Sequence, residues 1–217
     1  MLKLFLPVLI FISTIQLSAQ VPFSIQKASE DVFLSFHQNK SLIVSELESL
    51  KAILNTEAED NDIEKEYSTI KGAYDSLINH FTGFEKALDN ISSDSALVLF
   101  NQWYLHFSNT FYKYSKEKFF SSAKTKILFL STSMSCHCTM EMCKNQTVDI
   151  IKFIKENNDE YDYWVVDTYE NNELQLEYET LFAPSIIVFN TDNQILIKIE
   201  YDEMMIDKLN KSLINLN

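Results

Sequence analysis

The sequence predicts an α+β protein in which a helical bundle over 21–122 precedes an α/β unit over 124–217 of order βαβαββα. Three observations carry this. Apolar residues recur at helical spacings through the first half, and no proline occurs between Pro22 and Pro184. From Lys124 the pattern changes to short apolar runs separated by polar turns. All three cysteines fall at the start of that second half, between Met134 and Cys143.

Residues 1–19 read as a secretory signal peptide. Met1-Leu2-Lys3 is a short positive start, Leu4–Ile15 an apolar core, and Leu17-Ser18-Ala19 the approach to a cut at Gln20. The run is short for a membrane span, and no cysteine follows the cut to carry a lipid. No other run is long and apolar enough to cross a bilayer. The expectation is an exported protein, periplasmic or secreted, without a membrane span after cleavage.

The chain carries 18 Lys+Arg, all of them lysine, against 31 Asp+Glu, a formal charge of −13. An acidic surface without arginine repels phosphate backbones and lacks the planar fork that reads them, which argues against nucleic acid as a partner. A hydrophobic fraction of 46% can build a core without staples. Three closely spaced cysteines therefore do not read as a disulfide framework.

Within the first half, Ile43, Leu47, Leu50 and Leu54 mark one face of a helix near 41–55, and the polar stretch Asn55–Asp62 predicts a loop. Ile63, Tyr67, Ile70, Tyr74, Leu77, Phe81, Phe84 and Leu88 alternate by four and three, which predicts a long helix over 60–89. Ser92-Ser93-Asp94 supplies a helix start. The helix that follows carries Leu97, Phe100, Tyr104, Phe107, Phe111 and Tyr114 on one face. Together these predict three or four antiparallel helices with an aromatic seam. The period does not say whether the seam pairs within one chain or between subunits. His80 and His106 lie on these helices and read as surface or satisfied core residues rather than heme or quinone ligands.

In the second half, Ile127–Leu130 is a strand leading through Ser-Thr-Ser to the cysteines. Asn145–Asn157 predicts a helix with Val148, Ile151 and Ile154 inward. Tyr163–Val166 is a buried strand closed by Asp167, which reads as a helix-starting residue rather than a proton shuttle. A helix over Asn171–Phe182 is expected to use Leu174, Leu176, Tyr178 and Leu181 as its apolar residues. Ala183-Pro184 leads into Ile186–Phe189, Thr191-Asp192-Asn193 turns the chain, and Gln194–Tyr201 returns with Ile195, Ile197 and Ile199 alternating. A last helix spans Glu203–Leu216.

Cysteines after the first strand and Phe182-Ala183-Pro184-Ser185 before the third make residues 124–217 resemble the minimal thioredoxin fold. The resemblance implies a reactive cysteine at the N-terminus of the helix after the first strand, which Cys136 matches. It implies a cis-proline facing that cysteine, which Pro184 matches, with Ala183 as a backbone edge for a substrate strand. The chain departs from the usual Cys-x-x-Cys: Ser135 precedes Cys136, Cys138 follows at two residues, and Thr139 takes the resolving position.

Three uses of Cys136-His137-Cys138 follow. In the leading one, Cys136 is a thiolate favoured by the helix N-terminus and tuned by His137. It attacks a disulfide of a protein substrate or redox partner, Cys138 resolves, and no cofactor is required. The tight ring of a Cys136–Cys138 disulfide points to an oxidant or isomerase. Cys143 lies about 10 Å further along a helix and reads as a buried small residue or an alternative resolving thiol. The alternative use is Cu(I) binding or copper delivery by Cys136, His137, Cys138 and Cys143, with Met140 nearby. Copper-delivering proteins on a thioredoxin-type fold supply the analogy, with different ligand spacing. Zinc ranks below copper, because adjacent Cys-His-Cys ligands are cramped for a tetrahedron. The third use is a non-catalytic interaction module in which the bundle docks a partner.

Overall fold

A computed structural model of the protein describes residues 21–36, 40–59, 63, 67, 70–158 and 160–215. The expected signal peptide at 1–19 lies outside them. The apolar periodicities of the first half become helices α1 (Val21–Ser35), α2 (Lys40–Glu59), α3 (Lys71–Leu88), α4 (Ser93–Thr110) and α5 (Tyr112–Ser121). Ser92 starts α4 by accepting the Ser95 amide on its side chain. Ile43, Leu47, Leu50 and Leu54 are all buried, as their spacing predicts.

Two boundaries differ from expectation. The helix of residues 41–55 continues to Glu59, so Asn55–Glu59 is not a loop. That stretch contains neither glycine nor proline, and the Thr56 hydroxyl folds back on the Ala52 carbonyl at 2.9 Å. The helix expected over 60–89 breaks at Ile70, which stands at the N-cap of the helix from Lys71, while Ile63 and Tyr67 before the break are themselves helical. Tyr67, upstream of that start, packs edge-on against Phe111 and Tyr114 at 5.3 and 5.1 Å. The seam survives the interruption, with Ile63, Tyr74, Leu77, Phe81 and Phe84 buried and Tyr67, Ile70 and Leu88 packed against them.

The second half runs β1 (Lys126–Ser131), α6 (His137–Glu156), β2 (Asp162–Asp167), α7 (Glu173–Glu177), β3 (Ser185–Phe189), β4 (Ile195–Glu200) and α8 (Met205–Ile214). The sheet order is β2-β1-β3-β4, with β1 parallel to β2 and β3 antiparallel to both of its neighbours. This is the element order that the resemblance to the thioredoxin fold implies. Every residue of β1 is buried, because helices cover both faces of the sheet. Ile127, Phe129, Val165 and Val188 face α6, α8 and the helical half. Leu128, Leu130, Trp164 and Phe189 face Phe119 of α5 and Leu174 of α7.

Three expectations are corrected here. Helix α6 begins at His137 rather than Asn145, so the cysteines belong to its first turns. The helix of 171–182 shrinks to Glu173–Glu177. Leu174 alone of its predicted apolar residues is fully buried; Leu176 and Leu181 are 70% and 76% exposed. Glu179 then takes φ 50°, a left-handed conformation that ends helical propagation. In β4 only Ile199 is buried, and Ile195 is exposed, because β4 is an edge strand.

The two halves share one continuous hydrophobic cluster, from Ile25 and Phe33 of α1 through Phe100 of α4 to Phe129 and Ile151. Helix α4 also covers the open edge of β2. The Ser108 hydroxyl donates to the Val165 carbonyl and accepts from Trp164 Nε1, consuming polar groups that an edge strand would otherwise expose. Glu30 of α1, 1% exposed, accepts from the Tyr163 hydroxyl at 2.7 Å and pairs with Lys155 of α6 at 2.9 Å.

Candidate functional site

The parallel strand β1 delivers the chain to the sheet's C-terminal edge, where Thr132–Ser135 turns it into α6. This turn is tied down from several sides. Asp167, at the end of β2, accepts the Ser133 and Tyr169 amides at 2.9 and 3.1 Å on one carboxylate oxygen. Its role is thus to hold the cysteine loop against β2; at the helix that follows it is Asn171 Oδ1 that accepts the Glu173 amide, at 3.1 Å. Thr168 donates its hydroxyl to the Ser131 carbonyl at 2.9 Å. From the helical half, Gln102 donates to the Ser133 carbonyl at 3.3 Å and reaches Met140 Sδ at 4.0 Å.

Cys136 occupies the N-cap position of α6, with extended φ −62° and ψ 154°. Unpaired amides of the first turn and the helix dipole favour negative charge there. Its sulfur lies 2.7 Å from Cys138 Sγ and 3.2 Å from Thr139 Oγ1. The Cys138 thiol, followed by the Thr139 hydroxyl and amide, brings the Cys136 pKa down to about 7. Cys136 and Cys138 are both exposed, the condition for a reactive thiolate. Cys143 is the opposite case: fully buried, its thiol pushed up by desolvation, close to Ser131 and Thr132. Three cysteines of one stretch thus divide into an exposed pair and an inert core residue.

The proline-led segment shares a groove with the residues on either side of the cysteine pair. The Ala183–Pro184 peptide is cis, and Ser135 and Thr139 share an open groove with Leu181, Phe182, Ala183 and Tyr201. Phe182, 57% exposed, packs on Tyr201 with ring centres 5.9 Å apart. Sequence reasoning put Leu181 and Phe182 in a helix and so missed them as the groove's apolar wall. Their signal was the proline two residues on, which disfavours helix just before it. In the sequence Thr139 shows only as a departure from Cys-x-x-Cys; its hydroxyl's contact to the Cys136 sulfur needs the fold. Gln102 carried no signal at all, because its contact spans the two halves.

The wider cluster does not converge on one point. His137 is exposed and lines a shallow groove with Asp94 and Glu141, Met140 lies beside Gln102, and Cys143 is internal. Among the described residues, no group of three or more His, Cys, Asp and Glu side chains is placed to hold a metal ion.

The Thr139 contact has a measurable consequence. Thiolate forms above the thiol pKa, so alkylation of Cys136 should rise through about pH 7 and level off above pH 8. Thr139→Val removes the hydroxyl and should move the midpoint upward toward an ordinary thiol. The rate at pH 7 should fall by roughly three- to tenfold. An unmoved midpoint in a folded variant would contradict this role.

No family model matches the chain, and no curated protein matches it. Among solved structures, a designed protein is similar at 19% identity, with 48% of this chain and 85% of that one covered and a TM-score of 0.38. The germline-specific thioredoxin Deadhead from Drosophila melanogaster is similar at 15% identity, with 48% and 92% covered and a TM-score of 0.38. The likeness concerns the fold of part of the chain.

Proposed function

We propose that the chain is an exported thioredoxin-like thiol–disulfide oxidoreductase or isomerase acting on protein disulfides. The observation that supports this reading most is the exposed Cys136 sulfur, lowered to a pKa of about 7 and 2.7 Å from a second exposed thiol. A thiolate of that pKa is abundant at neutral pH while retaining nucleophilicity.

In the proposed cycle the Cys136 thiolate attacks one sulfur of a substrate disulfide. A mixed disulfide forms and the other substrate sulfur leaves as thiolate. Cys138, deprotonated in turn, then attacks Cys136 Sγ. This releases the second substrate thiolate and leaves Cys136–Cys138 oxidised, so that the substrate has gained the two electrons the pair has lost. The reverse sequence oxidises a substrate dithiol. Isomerisation needs only the first attack, followed by a substrate thiol expelling Cys136. The substrate would lie along the groove of Leu181, Phe182 and Tyr201, with the Ala183 backbone as its edge.

Replacing the resolving residue tests this order. Cys138→Ser should accumulate a mixed disulfide through Cys136 when mixed with a disulfide-bonded protein, and mass spectrometry identifies the joined cysteine. A variant that reduces the substrate disulfide with the parent chain's turnover would assign resolution elsewhere and overturn the two-cysteine cycle.

A further inference from the structure

We propose that His80 and His106 form a two-imidazole site for a divalent transition-metal ion, bridging α3 and α4 apart from the cysteines. The rings face one another across two helices, with centroids 4.8 Å apart and planes tilted by 49°. A metal–nitrogen bond of about 2.0–2.1 Å, with a further ~1.1 Å from nitrogen to ring centre, places each centroid about 3.1 Å from the ion. Two imidazoles bound at 90–110° then have centroids about 4.4–5.2 Å apart. The observed separation falls inside that interval, so a shared ion requires only that the two side chains turn a nitrogen toward one point.

Two further observations point to an ion. His106 Nε2 is buried and has no hydrogen-bond partner among the described residues, a state that buried polar atoms rarely keep. The charges facing His106 from beyond its own helix are the Asp167 and Glu170 carboxylates, which favour a cation, and His80. The remaining coordination positions go to water, since no third His, Cys, Asp or Glu joins the pair among the described residues. Imidazole with water suits borderline divalent ions, and Cu(II) binds such sets most tightly.

Cu(II) is therefore the probe, added to mature protein carrying Cys136→Ser and Cys138→Ser so that the exposed thiols neither bind nor reduce it. One equivalent should bind, and electron paramagnetic resonance should show two imidazole nitrogens on the copper. His80→Asn alters an exposed ring and leaves packing intact. It should weaken binding at least tenfold and reduce the pattern to one nitrogen. His106→Asn should do the same, with its folding checked by thermal melting. Failure to bind one equivalent would overturn the proposal. So would stoichiometric binding that His80→Asn leaves unchanged, which would move the copper to His37, His137 or the chain terminus.

Discussion

Cys136→Ser is expected to abolish reaction with a small-molecule disulfide, lowering the rate by about three orders of magnitude or more. The reason is the division of labour among the cysteines. Cys143 is 0% exposed and its thiol is raised by burial, so it offers neither access nor thiolate. Cys138 is exposed, but the N-cap position and the Thr139 contacts belong to Cys136. A hydroxyl at 136 keeps the shape of the site and removes its nucleophile. Cys143→Ser should leave the rate nearly unchanged. Retention of activity in Cys136→Ser, measured by release of the leaving thiol, would contradict the assignment.

Glu30→Ala is expected to destabilise the protein by about 2–4 kcal/mol, a fall in melting temperature of roughly 5–15 °C. Most of this loss comes from the Tyr163 hydroxyl, buried on β2 and left without its carboxylate acceptor. The lysines contribute less: Lys27 and Lys155 are about one-third exposed and regain water when Glu30 is removed. Glu30→Gln keeps an acceptor for Tyr163 and should recover part of the loss. Because one hydrophobic cluster runs through both halves, a single unfolding transition is expected in both variants. An unchanged melting temperature in Glu30→Ala would show that this contact does not hold α1 to the sheet.

Much of this architecture is legible in the sequence because periodic burial is a local property. The four–three seam of α3, the Ser92 cap and the buried runs at Ile127–Leu130 and Ile186–Phe189 each state their environment within a few residues. Where expectation failed, the deciding contact was distant or the local pattern misled. The apolar residues Leu176 and Leu181 suggested a longer α7, yet they lie exposed. The exposure of Cys136 and Cys138 and the cis peptide before Pro184 agree with positions relative to the strands that the sequence already marks. The Gln102 contact to the cysteine loop spans 31 residues, and the Glu30–Tyr163 contact spans 133. Neither leaves a trace in spacing. The His80–His106 pair was likewise invisible, since each histidine is solitary on its own helix until α3 and α4 pack together.

That Cys136 and Cys138 form a redox pair is tested most directly by the intact mass of the protein under native conditions. After equilibration in an oxidising glutathione buffer the mass should be lower by two hydrogens. Peptide mapping should place the bond between Cys136 and Cys138, with Cys143 still a free thiol. A mass raised by one copper and restored by replacing the two cysteines would contradict the account in favour of metal delivery. An unmodified mass with three free thiols would contradict it outright.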